Sequence, residues 1–162
     1  MAAPLYQYIG PSEFLESARS GGGGRPLRVP ADLEEELGPV QDEDGIVTFV
    51  VDREGQLRVG PRRSEHVSLS GGQPVLAAGE LRLERQVDGW VATDVSNQST
   101  GYCPDASCWE AVGAALDALD VAHLGGWTTV FRFRKCTKCG EINVVKDDWL
   151  VCSVCEADLP EV

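Results

Sequence analysis

Residues 131–160, FRFRKCTKCGEINVVKDDWLVCSVCEADLP, decide how the end of this chain folds. They contain two Cys-x-x-Cys pairs, Cys136 with Cys139 and Cys152 with Cys155, with twelve residues between the inner cysteines. Four thiolates at this spacing are typical of a tetrahedral metal site, and the expected ligand is one Zn²⁺ per chain. Iron bound by the same four cysteines, as in a rubredoxin-like site, remains the alternative.

The segment between the two pairs predicts a hairpin. Residues 141–145 and 149–151 have strand character, and the turn at residues 146–148 would bring the second pair back to the first. Gly140 lets the backbone turn beneath the sulfurs so that N–H groups can point at them. In these features the stretch resembles a zinc ribbon. The resemblance implies a structural metal, because four thiolates leave no open coordination position, but zinc ribbons serve many functions.

Redox chemistry is a weaker interpretation of the six cysteines. Neither Cys-x-x-Cys pair precedes a helical pattern, as a thioredoxin-type pair would. The N-terminal residues MAAPLYQYIGPSEFLES lack a basic leader and an apolar core, and no run of about 18 apolar residues occurs. We therefore expect a cytoplasmic protein whose cysteines bind metal instead of forming disulfides, and its composition is typical of a GC-rich bacterial genome.

The charge of the chain restricts its partners. Fourteen Lys and Arg residues against 26 Asp and Glu residues give a net charge of −12. An acidic protein is repelled by nucleic-acid phosphates unless it carries a local basic patch, and it suits basic protein partners.

The middle of the chain predicts an antiparallel sheet of about five strands. Strand patterns occur at residues 46–51, 56–59, 66–69, 74–84 and 90–95. A helix covering the sheet is predicted from a capping box at Ser107 and Glu110, with an apolar stripe that comprises Trp109, Val112, Leu116 and Leu119. A last strand at residues 127–134 leads into the first cysteine pair.

These patterns predict an α+β fold: an antiparallel β-meander packed by one main helix, with a C-terminal zinc ribbon. The expected division is a loosely structured segment at residues 1–40, an α+β domain at 41–130 and a ribbon packed on it at 131–162. In the first segment, short helices are expected after Ser12 and Pro30, with a glycine-rich loop at residues 21–24 between them.

The polar loop around residues 97–102 is a candidate ligand or partner surface, formed by Asn97, Gln98, Ser99 and Tyr102. With residues 77–104 around it, this loop resembles a segment of bacterial effector and conflict-system proteins, in which a Gly-Glu strand precedes an Asn-x-Ser-Gly-His-Tyr-type loop. Thr100 is inserted and no histidine precedes Tyr102, so the resemblance implies no ligand role here.

Two further groups of residues are candidate functional sites. Cys103 and Cys108 are interpreted as reduced structural thiols, against the alternatives of a second metal site or a nucleophile assisted by His66 or His123. A cationic patch beside two phenylalanines is formed by Arg132, Arg134, Lys135 and Lys138. The patch either compensates the charge of the thiolates or contacts nucleic acid or a partner.

The sequence therefore favours a non-catalytic zinc-ribbon protein that binds another protein in the bacterial cytoplasm, with no membrane contact and no catalytic residues assigned. One alternative is a nucleic-acid-binding zinc ribbon in transcription or translation. Another is an enzyme or effector that uses the loop from Asn97 to Cys108.

Overall fold

The computed structural model describes residues 4–40 and 43–161, with the backbone alone at residues 39 and 40. The helices are α1 (Ser12–Gly21), α2 (Pro30–Val40), α3 (His66–Ser70) and α4 (Trp109–Ala118). The strands are β1 (Ile46–Asp52), β2 (Leu57–Pro61), β3 (Val75–Gln86), β4 (Gly89–Ser96), β5 (Arg132–Lys135) and β6 (Ile142–Val145). None of the described helices is both long and apolar enough to cross a membrane.

The first four strands form one antiparallel sheet in the order β2-β1-β3-β4. β1 lies near the centre, where Phe49 is opposite Val59 on β2 and Gly79 on β3. A side chain at Gly79 would collide with the carbonyl oxygen of Ser96, so only glycine fits there. The predicted α+β class with an antiparallel sheet is confirmed, with four strands in this sheet instead of five.

Helices cover both faces of the sheet. On one face, the largest core cluster joins Phe49 to Leu33 and Leu37 of α2 and to Val112 and Leu116 of α4. On the other face, a second cluster contains residues of α1, α3 and the loop after β4, including Ala18, Val67, Leu69 and Tyr102. Burial on both faces explains why β1 is apolar along most of its length and does not alternate.

The predicted strand at residues 66–69 is wrong, because this segment forms helix α3. Gly71, at φ 66°, closes the helix in the left-handed conformation, so the glycines at 71 and 72 end a helix and do not make a hairpin turn. Val67 and Leu69 alternate with polar residues as a strand would, yet both are buried in one turn of helix. Four residues are too few to separate the two periods.

The main helix and both N-terminal helices are confirmed, but their caps differ from expectation. Ser107 does not cap α4; the side chain of Asp105 accepts from the Ser107 amide at 2.9 Å and begins a short 3-10 turn that leads into the helix. Ser12 likewise makes no capping hydrogen bond, because Pro11 occupies the cap position of α1. The glycine loop is anchored, since Gly24 donates to the carbonyl oxygen of Leu69 at 2.8 Å.

The C-terminal segment forms a second, two-stranded sheet. Here β5 pairs with β6 across the first cysteine pair, so the predicted hairpin of residues 141–145 with 149–151 is wrong. Residues 149–151 contribute only a bridge between Val151 and Asp158. The predicted strand at residues 127–134 is regular only from Arg132, with Thr129 making a single parallel bridge to Ser96. The division at residues 1–40, 41–130 and 131–162 stays a prediction; parts of it, at residues 1–3, 41–42 and 162, lie outside the described residues.

Candidate metal centre

The four cysteines of the C-terminal pairs meet in space. Their Sγ atoms all lie within 4.8 Å of one another, with 3.5 Å between Cys136 and Cys155 and 3.6 Å between Cys139 and Cys152. A tetrahedral site with metal–sulfur bonds of about 2.3 Å requires sulfur atoms about 3.8 Å apart. The residues present therefore fit one tetrahedrally coordinated metal ion, and they form the only such cluster in the described part of the chain.

The two cysteine turns are built alike. In the first, the amide of Gly140 donates to the carbonyl oxygen of Cys136 at 2.9 Å; in the second, the amide of Glu156 donates to that of Cys152 at 3.0 Å. In both turns the amide of the first cysteine donates to the carbonyl oxygen five residues ahead at 2.8 Å. This repeated geometry presents two pairs of sulfur atoms to a common point.

Backbone amides point at the sulfur atoms. The amide of Cys139 donates to Sγ of Cys136 at 3.5 Å, and that of Val154 donates to Sγ of Cys152 at 3.4 Å. Such bonds favour the thiolate: the Cys139 amide lowers the pKa of Cys136, and the amides of Cys155 and Val154 lower the pKa of Cys152 to about 6. The hydrogen bonds of the fold thus favour the thiolate form of Cys136 and Cys152.

The thiol of Cys139 behaves differently from those of Cys136 and Cys152. The backbone of Glu141 lowers the pKa of Cys139, but burial and the neighbouring thiols outweigh it and raise that pKa to about 12. Four neighbouring thiols cannot all ionise without a positive charge between them, because the resulting thiolates repel one another. A divalent metal ion would supply that charge and displace the remaining protons.

Asn143 supports the metal centre, although no sequence pattern assigned it a role. Its side chain is 6% exposed; the amide nitrogen donates to Sγ of Cys152 at 3.5 Å, and the amide oxygen accepts from the backbone and hydroxyl of Ser153 at 2.9 and 3.0 Å. The alternation of β6 places Asn143 on the buried face with Val145. A polar residue at a buried strand position was the signal that could have found it.

Asn97 is a structural residue. Its side chain is fully buried; the amide nitrogen donates to the carbonyl oxygens of Pro104 and Phe131, each at 2.9 Å, and the amide oxygen accepts from the Phe131 backbone at 2.7 Å. It fastens the loop after β4 to the segment that leads into β5. The expectation that Asn97 faces a ligand or partner is therefore wrong, because all its polar atoms are used inside the protein.

The rest of that loop is also mostly internal. Ser99 and Tyr102 are buried, and the Tyr102 hydroxyl contacts the Ser70 hydroxyl at 2.6 Å and donates to the Gln73 carbonyl oxygen at 2.8 Å. The expectation that Ser99 and Tyr102 form a ligand or partner surface is therefore wrong, because both side chains are buried. Gln98 is half-buried and lines a cleft of about 250 Å³ beside β4, so a surface role for it stays a prediction.

The thiols of Cys103 and Cys108 are shielded by burial, and the two imidazoles have hydrogen-bond partners. Burial raises the pKa of both Cys103 and Cys108 to about 12, so the two thiols hold their protons. His66 is bonded through Nε2 to the carbonyl oxygen of Gly79 at 2.9 Å, and His123 is bonded through Nε2 to the carboxylate of Asp117 at 2.8 Å. In neither histidine is Nε2 hydrogen-bonded to a thiol.

The two arginines beside the metal centre contact protein groups. Arg132 forms an ion pair with Asp148, and Arg134 donates to the carbonyl oxygens of Phe133 at 2.7 Å and Glu161 at 3.0 Å. The cationic patch predicted from the sequence is thus partly neutralised.

The fold and the site together define an α+β protein with a four-cysteine cluster that can hold a metal ion. Comparison with protein-family models, with curated proteins and with solved structures found no match to this chain. The likeness of residues 77–104 to effector proteins therefore gains no support from relatives.

Proposed function

We propose that this chain is a zinc-ribbon protein that acts by binding another protein and does no chemistry itself. The observation that carries the proposal is the closed cluster of four sulfur atoms within 4.8 Å. Four thiolates fill the tetrahedral shell of Zn²⁺ and leave no position for a water or a substrate. The ion would stabilise the fold of the C-terminal segment and hold its surface in a fixed shape.

The charges of the chain support a protein partner over a nucleic acid. The net charge is −12, and a Zn²⁺ bound by four thiolates would add a local negative charge. Arg132 and Arg134, the residues on which nucleic-acid binding would depend, already contact Asp148 and backbone carbonyl oxygens. We assign the partner a basic surface and the system a bacterial cytoplasm.

The metal assignment is tested by elemental analysis of the purified protein. We expect about one zinc per chain. Cys136→Ser should lose the metal and lower the melting temperature, whereas Cys103→Ser, which changes a thiol outside the cluster, should keep both. Unchanged metal content in Cys136→Ser would show that the cluster is not the metal site, and iron in the wild-type protein would replace zinc in the proposal.

The partner role is tested by affinity purification from the native cell, followed by reconstitution of the complex from purified components. A complex of defined stoichiometry that persists at physiological ionic strength supports the proposal. A chain that forms no complex with any copurifying protein contradicts it. Salt-sensitive binding to RNA or DNA that is lost in Arg132→Glu/Arg134→Glu would favour the nucleic-acid alternative instead.

A further inference from the structure

Two neighbouring grooves form one apolar strip across the C-terminal sheet. The first groove, of about 450 Å³, lies between the chain before α1 and the first cysteine turn, and Ile9, Phe14 and Ile142 line it. The second, of about 510 Å³, lies between β6 and the second cysteine turn, and Ile142, Val144 and Trp149 line it. Ile142 lines both, so the two grooves adjoin at this residue.

The strip is rich in exposed apolar side chains. Trp149 is 70% exposed, Ile9 42%, Phe14 40% and Val144 37%. These four are among ten large apolar residues that are exposed in the described part of the chain, and the other six line neither groove. Exposed apolar side chains scattered singly need no explanation, whereas a contiguous group marks an interaction surface.

The rim of the strip is negative. Three carboxylates line the two grooves, those of Glu65, Glu141 and Glu156, against one ammonium group, that of Lys146. In the first groove, burial and the charges of Glu65 and Glu13 raise the pKa of the Tyr8 hydroxyl. A partner of complementary charge therefore carries Lys or Arg beside its apolar side chains.

Strand β6 offers a second means of recognition. Within the described residues β6 pairs only with β5, which leaves its other edge open, and residues 142–144 of β6 line the second groove together with Trp149. An open strand edge carries backbone N–H and C=O groups that an extended peptide can pair with, while alternate side chains of that peptide enter the groove. The apolar strip and the strand edge thus suit the same occupant.

We propose that this strip binds an extended segment of the partner protein, in which apolar side chains alternate with Lys or Arg. The inference rests on the proposed function and specifies its surface. Trp149 and Val144 receive the apolar side chains, and the glutamates at the rim receive the cations.

The test uses the full-length zinc-loaded protein and labelled synthetic peptides. A peptide of alternating valine and lysine should bind, as measured by fluorescence anisotropy, and a matched peptide of alternating valine and glutamate should not. Trp149→Ala and Val144→Ser should each weaken binding about tenfold, because they remove apolar contacts from the second groove. Leu124→Ser is the matched control, since Leu124 is 79% exposed and lies outside the strip.

A second pair of variants tests the charges. Glu65→Gln should weaken binding of the lysine peptide about threefold, and Glu54→Gln, at an exposed turn away from both grooves, should leave it unchanged. Equal binding of both peptides, no binding of either, or binding indifferent to Trp149→Ala would overturn the inference. Self-association that Val144→Ser abolishes would also overturn it, in favour of a second copy of this chain.

Different results would contradict the docking site and the proposed interaction role. If the partner purified from cells binds wild-type protein and Trp149→Ala equally, the strip is not the docking site but the interaction role stands. If no partner forms a complex, the interaction role itself is contradicted.

Discussion

Glu156 occupies in the second cysteine turn the position that Gly140 occupies in the first. Each follows the first cysteine of its pair by four residues, each donates its amide to that cysteine's carbonyl oxygen, and each has a positive φ, 62° for Glu156 and 80° for Gly140. A left-handed residue with a side chain costs about 1 kcal/mol relative to glycine. The second turn therefore contains strain that the first avoids.

Gly140→Ala should lower the free energy of unfolding by about 0.5 kcal/mol, because the left-handed φ costs alanine more than is gained from the smaller entropy of the unfolded chain. A Cβ at Gly140 would meet no atom within 4 Å, so the penalty comes from φ alone. Gly126→Ala is the matched control, because its Cβ would also meet open space and its φ is not in the left-handed region. Urea unfolding of the zinc-loaded proteins, followed by tryptophan fluorescence, measures both. Equal effects of the two substitutions would refute the explanation.

The reverse change belongs to the second turn. Glu156→Gly should not destabilise the protein and should raise the free energy of unfolding by about 0.5 kcal/mol, since the relief of strain exceeds the extra entropy of glycine in the unfolded chain. Metal content should remain unchanged. A loss of stability would show that the Glu156 side chain contributes more than its backbone costs.

The four-cysteine cluster could be predicted because the residue spacing that forms it lies within short stretches of the sequence. Two residues between the cysteines of each pair set the approach of their sulfur atoms, and the intervening segment only has to return. The helix α3 could not be predicted in the same way. Its four-residue alternation fits a strand, and its helical state depends on Gly71 and on packing against the outer face of the sheet.

Asn143→Ala should weaken zinc affinity by about tenfold to a hundredfold, because it removes a donor to Sγ of Cys152 and frees Ser153 from its acceptor. Competition with a chromophoric chelator measures the affinity. Thr137→Ala, at an exposed position between the cysteines of the first pair, is the control and should retain wild-type affinity. If Asn143→Ala binds zinc as tightly as the control, Asn143 does not contribute to metal binding.

The role of Asn97 lay beyond the reach of sequence analysis for a different reason. Its partners include Phe131, which is 34 residues away, and no local pattern shows which carbonyl oxygens lie near a side chain in the fold. Exposed loop asparagines and buried ones have the same sequence context, since both favour turns. Only the packed structure distinguishes the internal polar residue from a binding residue.

Asn97→Ala should lower the free energy of unfolding by about 3 kcal/mol, because it leaves the amide of Phe131 and two carbonyl oxygens without their partner. Asn97→Asp keeps the acceptor for that amide but loses both donated bonds. Gln98→Ala, at the half-buried neighbour, is the control and should cost less than about 1 kcal/mol. Urea unfolding measures all three, and an Asn97→Ala protein as stable as the control would contradict the assignment.

The pH dependence of stability should reveal His66. Burial lowers the pKa of its imidazole in the folded protein, where the neutral ring can hold its proton on Nε2 and donate to the carbonyl oxygen of Gly79. The unfolded chain takes up a proton near pH 6.5, whereas the folded protein does not until lower pH. Below about pH 6.5 the unfolded state therefore binds more protons, and stability falls by up to about 1.4 kcal/mol per pH unit.

His66→Gln isolates this effect, because glutamine is neutral at every pH and can still donate to the Gly79 carbonyl oxygen. Acid also releases metal from thiolates, but that loss is common to both proteins and cancels in their difference. We expect the wild-type protein to lose stability faster than His66→Gln as pH is lowered from 7.5 to 5.5. Parallel curves of unfolding free energy against pH would show that His66 becomes protonated as readily in the folded protein as in the unfolded chain.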